Sequence, residues 1–139
     1  MTVRLNDYHD LPMLQALYEG AGHGPRCGWA WTGDLTGWWA VCEDSLGRLV
    51  GCLQLSMSRP QATLEALCVP LAFSKRQRVS IIRHLVAFSF RALRQLGVQS
   101  VRFQLDATHG DWVRIAQRYG ARFLHAHPTF IRELSYASR

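Results

Sequence analysis

The sequence predicts one α/β domain in which a mixed, mostly antiparallel sheet carries flanking helices. With 139 residues, the chain has room for a single hydrophobic core. Short strand-like runs alternate along the chain with stretches of helical periodicity. Hydrophobic residues make up 48% and charged residues 19% of the chain, which are ordinary globular values and exclude a disordered or collagen-like protein. We therefore expect residues 1–139 to form one domain.

The first half of the chain predicts a strand, a helix and a β-hairpin. Asp10 is the expected N-cap of the helix, whose apolar residues recur at helical spacing until Gly20. The following segment, to Gly37, is rich in glycine and tryptophan and predicts a long surface loop or a broken second helix. The predicted strands are Thr2–Leu5, Trp38–Glu43 and Leu49–Met57, the last two joined by a turn at residues 44–47.

The second half predicts a strand, a long helix, a strand, a helix and a final pair of strands. The long helix has a wide apolar face, formed by residues such as Val79, Ile82, Val86 and Phe90, and ends at Gly97. Thr108 and Asp111 resemble a capping box for the later helix. The predicted strands are Ala62–Val69, Val101–Leu105, Phe123–Leu124 and Thr129–Leu134.

Cysteine and histidine spacing gives no support to a metal site. The four cysteines stand singly, with no C-x-x-C pair, and predict buried free thiols. His125 and His127 have no third ligand nearby and are expected to be exposed loop residues. The chain also has no G-x-S-x-G motif, so a hydrolase of that type is not indicated. We expect no bound metal.

Positive charge is concentrated in the second half of the chain. The formal net charge is +6 and the pI is near 9.7. No acidic residue occurs between Glu65 and Asp106. This interval holds seven cationic residues: Lys75, Arg76, Arg78, Arg83, Arg91, Arg94 and Arg102. The segregation favours a phosphate-rich or acidic partner, and the alternative is that these arginines only solvate the outer face of a helix.

The order of the predicted elements resembles that of the GCN5-related N-acetyltransferase (GNAT) superfamily over nearly the whole chain. In that superfamily the strand matching Ala62–Val69 splays from its neighbour and pairs with the pantetheine arm of acetyl-CoA. The next loop carries R/Q-x-x-G-x-G/A, whose amides hold the pyrophosphate at a helix N-terminus. The resemblance therefore points to five cofactor-binding candidates: Cys68, Val69, Lys75, Arg76 and Arg78.

The glycines of this motif are missing here. No glycine lies between Gly51 and Gly97, so side chains would obstruct the approach of phosphates to the loop amides. Lys75, Arg76 and Arg78 could hold phosphates through their side chains instead. We expect loss of coenzyme binding and no cofactor, with acetyl-CoA as the cofactor if the chain is an enzyme.

Two residues are candidates for acetyl transfer under the resemblance. Glu65 lies in the strand where some members carry a carboxylate that deprotonates the acceptor amine. When Gly120 is matched to the glycine of N-x-x-A-x-x-x-Y-x-x-x-G-F, Ala116 replaces the tyrosine acid, and Tyr119 lies three residues further on. The alternatives are a solvated or paired Glu65 and a core or rim Tyr119.

Within the superfamily the chain looks most like short, degenerate members encoded by podophages, including internal virion proteins. The similarity lies in the arginine-bearing long helix, the strand after it and the run R-I-A-Q-R-Y-G-A-R-F at Arg114–Phe123. It implies a non-catalytic binding or structural protein, placed in a virion interior if phage-encoded and otherwise in the cytoplasm. The alternatives are an active acetyl-CoA-dependent N-acetyltransferase and a nucleic-acid-binding module.

The tryptophans of the predicted loop are candidates for a partner surface. Trp29 and Trp31 lie among flexible glycines, share one side of an extended loop and are far from the predicted core. The expected partner is another protein or assembly, or a second copy of the chain. No apolar run is long enough to span a membrane, and the N-terminal residues do not resemble a signal peptide, so a soluble protein is expected.

Overall fold

The structure is a computed structural model. It describes residues 1–20, 38–106, 114–115, 117–118, 122–126 and 129–135. The segment predicted to be a tryptophan-bearing loop lies outside these residues, as does the capping box expected at Thr108 and Asp111. Residues 114–115 and 117–118 are helical, in agreement with the helix predicted there.

The first half forms the strand, helix and hairpin that the sequence predicts. The elements are β1 (Thr2–Leu5), a 3₁₀ turn (Tyr8–Asp10), α1 (Leu11–Gly20), β2 (Trp38–Glu43) and β3 (Leu49–Ser58). The prediction that Asp10 is the N-cap is wrong. Asp7 caps the 3₁₀ turn that leads into α1, and Asp10 closes the same capping box from its third position. Both residues are acidic and only three positions apart, so sequence alone did not separate their roles.

The second half begins with the strand and long helix that were predicted. The elements are β4 (Gln61–Cys68), α2 (Lys75–Gln95), β5 (Ser100–Asp106), β6 (Arg122–Ala126) and β7 (Thr129–Ser135). Gly97 follows α2 with a φ of 79°, as expected for a helix-ending glycine. No helix in the described part of the chain is both long and apolar enough to cross a membrane.

The seven strands form one mixed sheet in the order β1-β2-β3-β4-β5-β7-β6. Among the strand pairs of the described residues, β4 and β5 are parallel and the others are antiparallel. Helix α2 connects the parallel pair, which is the crossover that parallel neighbours require. The α/β fold class with a mixed, mostly antiparallel sheet is therefore confirmed.

The two faces of the sheet pack against different helices. The apolar side of α2 covers the larger core, in which Leu53, Leu64, Leu85 and Phe103 are fully buried. Helix α1 covers a smaller core on the other face, where Leu14 contacts a cluster that includes Trp39. Alternation along the strands therefore supplies apolar side chains to both faces, as expected for a central sheet between helices.

A close contact between β3 and α2 occurs at Gly51. A Cβ atom built on Gly51 would lie 2.6 Å from Cγ2 of Ile81 and 3.3 Å from Cδ1 of Leu85. Ile81 is β-branched and stiff at χ1 within a helix, so its methyl group cannot move aside freely. The missing side chain of Gly51 thus lets α2 lie directly on the strand.

The start of α1 is joined to the sheet by Arg4 of β1. Its guanidinium donates to both oxygens of Asp10, at 2.7 and 2.9 Å, and also to the carboxylate of Glu43 on β2. Asp10 is 5% exposed and the Arg4 side chain 35%, so the bidentate pair is partly buried and its charge-assisted bonds are only partly screened by water. The hydrogen bonds from Arg4 hold the pKa of Asp10 below its usual range.

Replacing Gly51 with alanine should destabilise the fold by about 1–2 kcal/mol, because overpacking against Ile81 exceeds the gain from lower backbone entropy. Thermal denaturation should show a Tm lower by roughly 4 °C per kcal/mol. Ile81→Ala removes the clashing methyl group, so the double variant should lose less stability than the two single variants added together. Additive losses would contradict a direct contact at this position.

Asp10 should make unfolding sensitive to acid. Its folded pKa lies below the unfolded value of about 3.9, so the stabilisation is complete above that value and is lost as the pH falls through the folded pKa. Urea titrations of the wild type and Asp10→Asn should converge as the pH falls from neutral to below about 3. If the free energies of unfolding of the two proteins differed by the same amount across that pH interval, the pairing with Arg4 would not shift the pKa of Asp10.

Candidate functional site

Strands β4 and β5 run side by side only at their beginnings. Residues Gln61–Leu64 pair with Ser100–Phe103. Beyond Leu64, β4 continues to pair with β3, and its ladder with β5 ends. The sheet therefore opens between β4 and β5 towards the carboxyl end of the parallel pair, which is where open α/β sheets bind ligands.

An irregularity in β4 accompanies this opening. Cys52 pairs with Cys68 and Gln54 with Glu65, so two residues of β4 lie opposite the single Leu53 of β3. Ala66, one of the two, has a φ of 53°. A β-bulge of this kind bends its strand and increases its twist. A non-glycine residue at positive φ is strained, and such residues cluster at functional sites.

Glu65 lies on β4 immediately before the bulge. The Ser56 hydroxyl donates to Oε1 of Glu65 at 2.6 Å, and the carboxylate is half-buried. Gln54 lies opposite Glu65 in the β3–β4 ladder. The structure therefore places the predicted base in a polar strip next to the opening between β4 and β5. Sequence reasoning did not identify Ser56, because the contact is diagonal across the hairpin and no local pattern indicates it.

Several backbone amides of the loop between β4 and α2 donate hydrogen bonds to acceptors within the protein. The N–H of Phe73 donates to the Pro70 carbonyl at 3.2 Å. At the helix start, the N–H of Gln77 donates to Oγ of Ser74 at 3.2 Å, and the N–H of Ser74 donates to Oε1 of Gln77 at 3.0 Å. This capping box satisfies groups that a helix N-terminus would otherwise offer to an anion.

Cys68 and Val69 are buried side chains at the end of β4. The Cys68 thiol donates to the Ala66 carbonyl at 3.3 Å and packs in the core under α1, whereas Val69 packs in the core under α2. Any contact of these two residues with a cofactor would therefore have to be made by their backbones.

The described cysteines are free and buried, as predicted from their isolated positions. These are Cys42, Cys52 and Cys68. Burial raises the pKa of Cys42 to about 11, and it raises the pKa of Cys52 as well. Thiols held protonated in this way are weak nucleophiles. Cys27 lies outside the described residues, and among those described no group of three ligand-type side chains could hold a metal ion.

The outward side of α2 is strongly cationic. Its first turn contains no acidic residue and includes Lys75 and Arg76, both exposed. Arg76, Arg83 and Arg94 are seven and eleven residues apart, close to whole numbers of helical turns, and so lie along one line of about 27 Å. A shallow groove on this side has six lining residues: Lys75, Arg76, Val79, Ser80, Arg83 and His84. We call these six residues and Arg94 the basic face.

Three predicted site residues fall outside the residues that the structure describes: Tyr119, Trp29 and Trp31. Arg78 is half-buried on α2, whereas Lys75 and Arg76 are exposed. The structure thus brings Glu65 to the strand opening and puts the three cationic candidates at the helix start. It tests neither the tyrosine acid nor the tryptophan surface.

Comparison with solved structures identifies the fold. The ribosomal-protein-S18-alanine N-acetyltransferase of Escherichia coli superposes with a TM-score of 0.80 at 15% identity, covering 96% of this chain and 92% of that one. A GNAT-family acetyltransferase from Staphylococcus aureus gives 0.77 at 7% identity, covering 96% and 99%.

A third similar structure was determined with coenzyme A bound. It is the PaiA N-acetyltransferase of Thermoplasma acidophilum, with a TM-score of 0.71 at 13% identity, covering 98% of this chain and 100% of that one. No family model and no curated protein sequence matches the chain. At these identities the similarity concerns architecture and not activity. The chain has the GNAT fold.

Proposed function

We propose that this chain is a GNAT-fold binding protein that does not transfer acetyl groups and that holds an acidic protein partner on the basic face. The main support is the start of α2, where the helix caps itself with side chains and also carries cations in its first turn. The side-chain cap works against the binding of a cofactor pyrophosphate to the helix amides. The cations favour an anionic group of an external partner.

The loop chemistry supports loss of the acetyl-CoA cradle. The amides of Phe73, Ser74 and Gln77 already donate within the protein. A pyrophosphate would have to displace the Ser74–Gln77 capping box, whose loss costs a helix roughly 1 kcal/mol. It would also meet side chains along the whole loop, including those of the exposed Leu71 and Ala72, because the loop contains no glycine.

The charge distribution supports a binding role for α2. The N-terminal end of a helix carries a partial positive charge, so Lys75 and Arg76 destabilise the helix by roughly 0.3–1 kcal/mol each. No acidic residue in the first turn offsets them. Among the described residues, neither Arg76 nor Arg83 forms a salt bridge with a carboxylate. For Arg76, this local cost has no ion pair among the described residues to offset it, which is typical of functional positions.

An acidic protein surface fits the basic face better than a phosphate backbone does. Arginine is enriched at protein interfaces, and half-buried Val79, Ala87 and Phe88 supply apolar area beside the cations. The resemblance to short podophage members would place such a partner within a virion or its assembly. The alternative is a nucleic-acid-binding module, and the competition experiment on the basic face distinguishes it from binding of an acidic protein.

Calorimetry should show that acetyl-CoA binds no more tightly than ADP, which lacks the pantetheine arm and the acetyl group. The reason is that the Phe73, Ser74 and Gln77 amides already donate within the protein and that the loop has no glycine to let a pyrophosphate approach the backbone closely. A low-micromolar Kd for acetyl-CoA, near −8 kcal/mol, with much weaker ADP binding would overturn the non-enzymatic proposal.

Reversal of charge on the basic face should abolish retention on immobilised polyglutamate. The test variant is Arg76→Glu with Arg83→Glu. Retention of the wild type should fall progressively as the salt concentration is raised, because salt screens the charges. Arg114→Glu with Arg118→Glu makes the same change in net charge at two exposed positions outside α2 and serves as the control. Equal losses in both variants would mean that only net charge matters.

The same matrix experiment distinguishes the partner class. A single-stranded oligonucleotide of matched charge should compete less well than polyglutamate for the wild-type protein. Stronger competition by the oligonucleotide, with a steep dependence on salt, would replace the protein partner with nucleic acid.

An active N-acetyltransferase is the second candidate, and one observation favours it. Glu65 is oriented by the Ser56 hydroxyl beside the opening where β4 leaves β5. A carboxylate in this position could accept a proton from an acceptor amine. If acetyl-CoA does bind tightly, Glu65→Gln should lower turnover and leave the coenzyme affinity nearly unchanged.

A further inference from the structure

We propose that a cavity between the start of α2 and the β2–β3 turn binds a nucleoside phosphate. The cavity measures about 750 Å³, within the range of roughly 300–1,000 Å³ that is typical of small-molecule sites. Its lining comes from α2, the loop before it, the β2–β3 turn, the start of β3 and Met1, and includes no residue of β5. It is therefore distinct from the opening between β4 and β5, and the inference goes beyond the proposed function.

The floor of this cavity is apolar and firmly supported. Val50, Phe73 and Ile81 line it. Ile81 belongs to the large core, and Val50 and Phe73 are partly buried against that core. A floor built on core residues is preorganised, and an aromatic ring among aliphatic groups suits a flat base.

The α2 wall carries a cation and neutral polar groups. Arg76 lines both this cavity and the groove on the basic face, and its planar guanidinium is suited to bidentate contact with phosphate. Oε1 of Gln77 is used by the Ser74 amide, so the side-chain NH₂ group of Gln77 remains as a donor. Ser80 adds a hydroxyl that can donate or accept.

The opposite wall carries an ion pair between Asp44 and Arg48 and adds no net charge. Oδ1 of Asp44 accepts from the Leu46 and Arg48 amides, and Oδ2 accepts from the Arg48 side chain at 2.9 Å. These bonds fix the turn and balance the Asp44 charge against that of Arg48, so Arg76 on the α2 wall is the cation that a phosphate would meet. The Arg48 side chain is 69% exposed, so the rest of its guanidinium stands at the cavity mouth.

The combination selects one ligand class. Inorganic phosphate would leave the apolar floor uncovered, and a simple fatty anion would leave Gln77 and Ser80 without partners, which costs affinity when such groups are desolvated. A nucleoside phosphate satisfies both parts, with its base on the floor and its phosphate on Arg76. Such a ligand could be a free nucleotide or one nucleotide of a single strand.

The test is calorimetric titration of the whole chain with ADP, adenosine and inorganic phosphate. ADP should bind saturably and at least about tenfold more tightly than either fragment, a difference of about 1.4 kcal/mol. Val50→Trp fills the cavity without changing charge, and Arg76→Glu removes the phosphate contact. Each should weaken ADP binding at least about tenfold, whereas Arg114→Glu should match the wild type. Melting curves establish that every variant is folded.

Two results would overturn the proposal: no saturable binding of ADP, or binding that Val50→Trp leaves unchanged. Competition between ADP and oligothymidylate would identify the ligand as a nucleotide of a single strand, and its absence would identify a free nucleotide. Retention of Val50→Trp on polyglutamate reports on the acidic-partner proposal separately, because Val50 lines the cavity from β3 and is not part of the basic face. Failure at the cavity and failure at the basic face are therefore distinguishable.

Discussion

The direct packing of α2 on β3 at Gly51 is the constraint on which the rest of the structure depends. Because no side chain intervenes, Ile81 and Leu85 reach the strand, and the buried side of the helix is set by that contact. The orientation of a rigid 21-residue helix then follows along its whole length. It decides which residues face solvent and where the helix begins relative to the β2–β3 turn.

Two surfaces follow from that single orientation. The basic face points outward because the apolar residues of α2 are committed to the sheet. The cavity exists because the first turn of α2 stands across from Asp44 and Arg48, with Phe73 and Val50 between them. Arg76 belongs to both surfaces. One cation therefore couples the electrostatics of the groove with those of the cavity, and occupation of either by an anion would weaken the attraction of the other.

Features that depend on the periodicity of apolar residues could be predicted from the sequence. Features that depend on contacts between distant segments could not. Helix α2 was predictable because its apolar residues recur over many turns, and the hairpin because turn residues separate two strand-like runs. The bulge at Ala66 gave no local signal, since alanine is not a residue that favours positive φ. The contact of Ser56 with Glu65 and the cavity at Arg76 join segments distant in sequence, so spacing could not indicate them. The lack of loop glycines could be seen from the sequence alone, because it concerns which residues are present and not how they are arranged in space.

The chain can keep the GNAT fold without the loop glycines because the fold and the phosphate loop depend on different residues. The outline depends on the core under α2 and on the divergence of β4 from β5, and neither requires an open helix N-terminus. Once glycine is absent before α2, the first-turn amides need other partners, since unsatisfied helix ends are costly. Ser74 supplies a partner for the Gln77 amide from within the chain, and Gln77 supplies one for the Ser74 amide. Such a helix start does not depend on a bound anion for its cap, so the exposed Arg76 beside it can serve a ligand that approaches from another side.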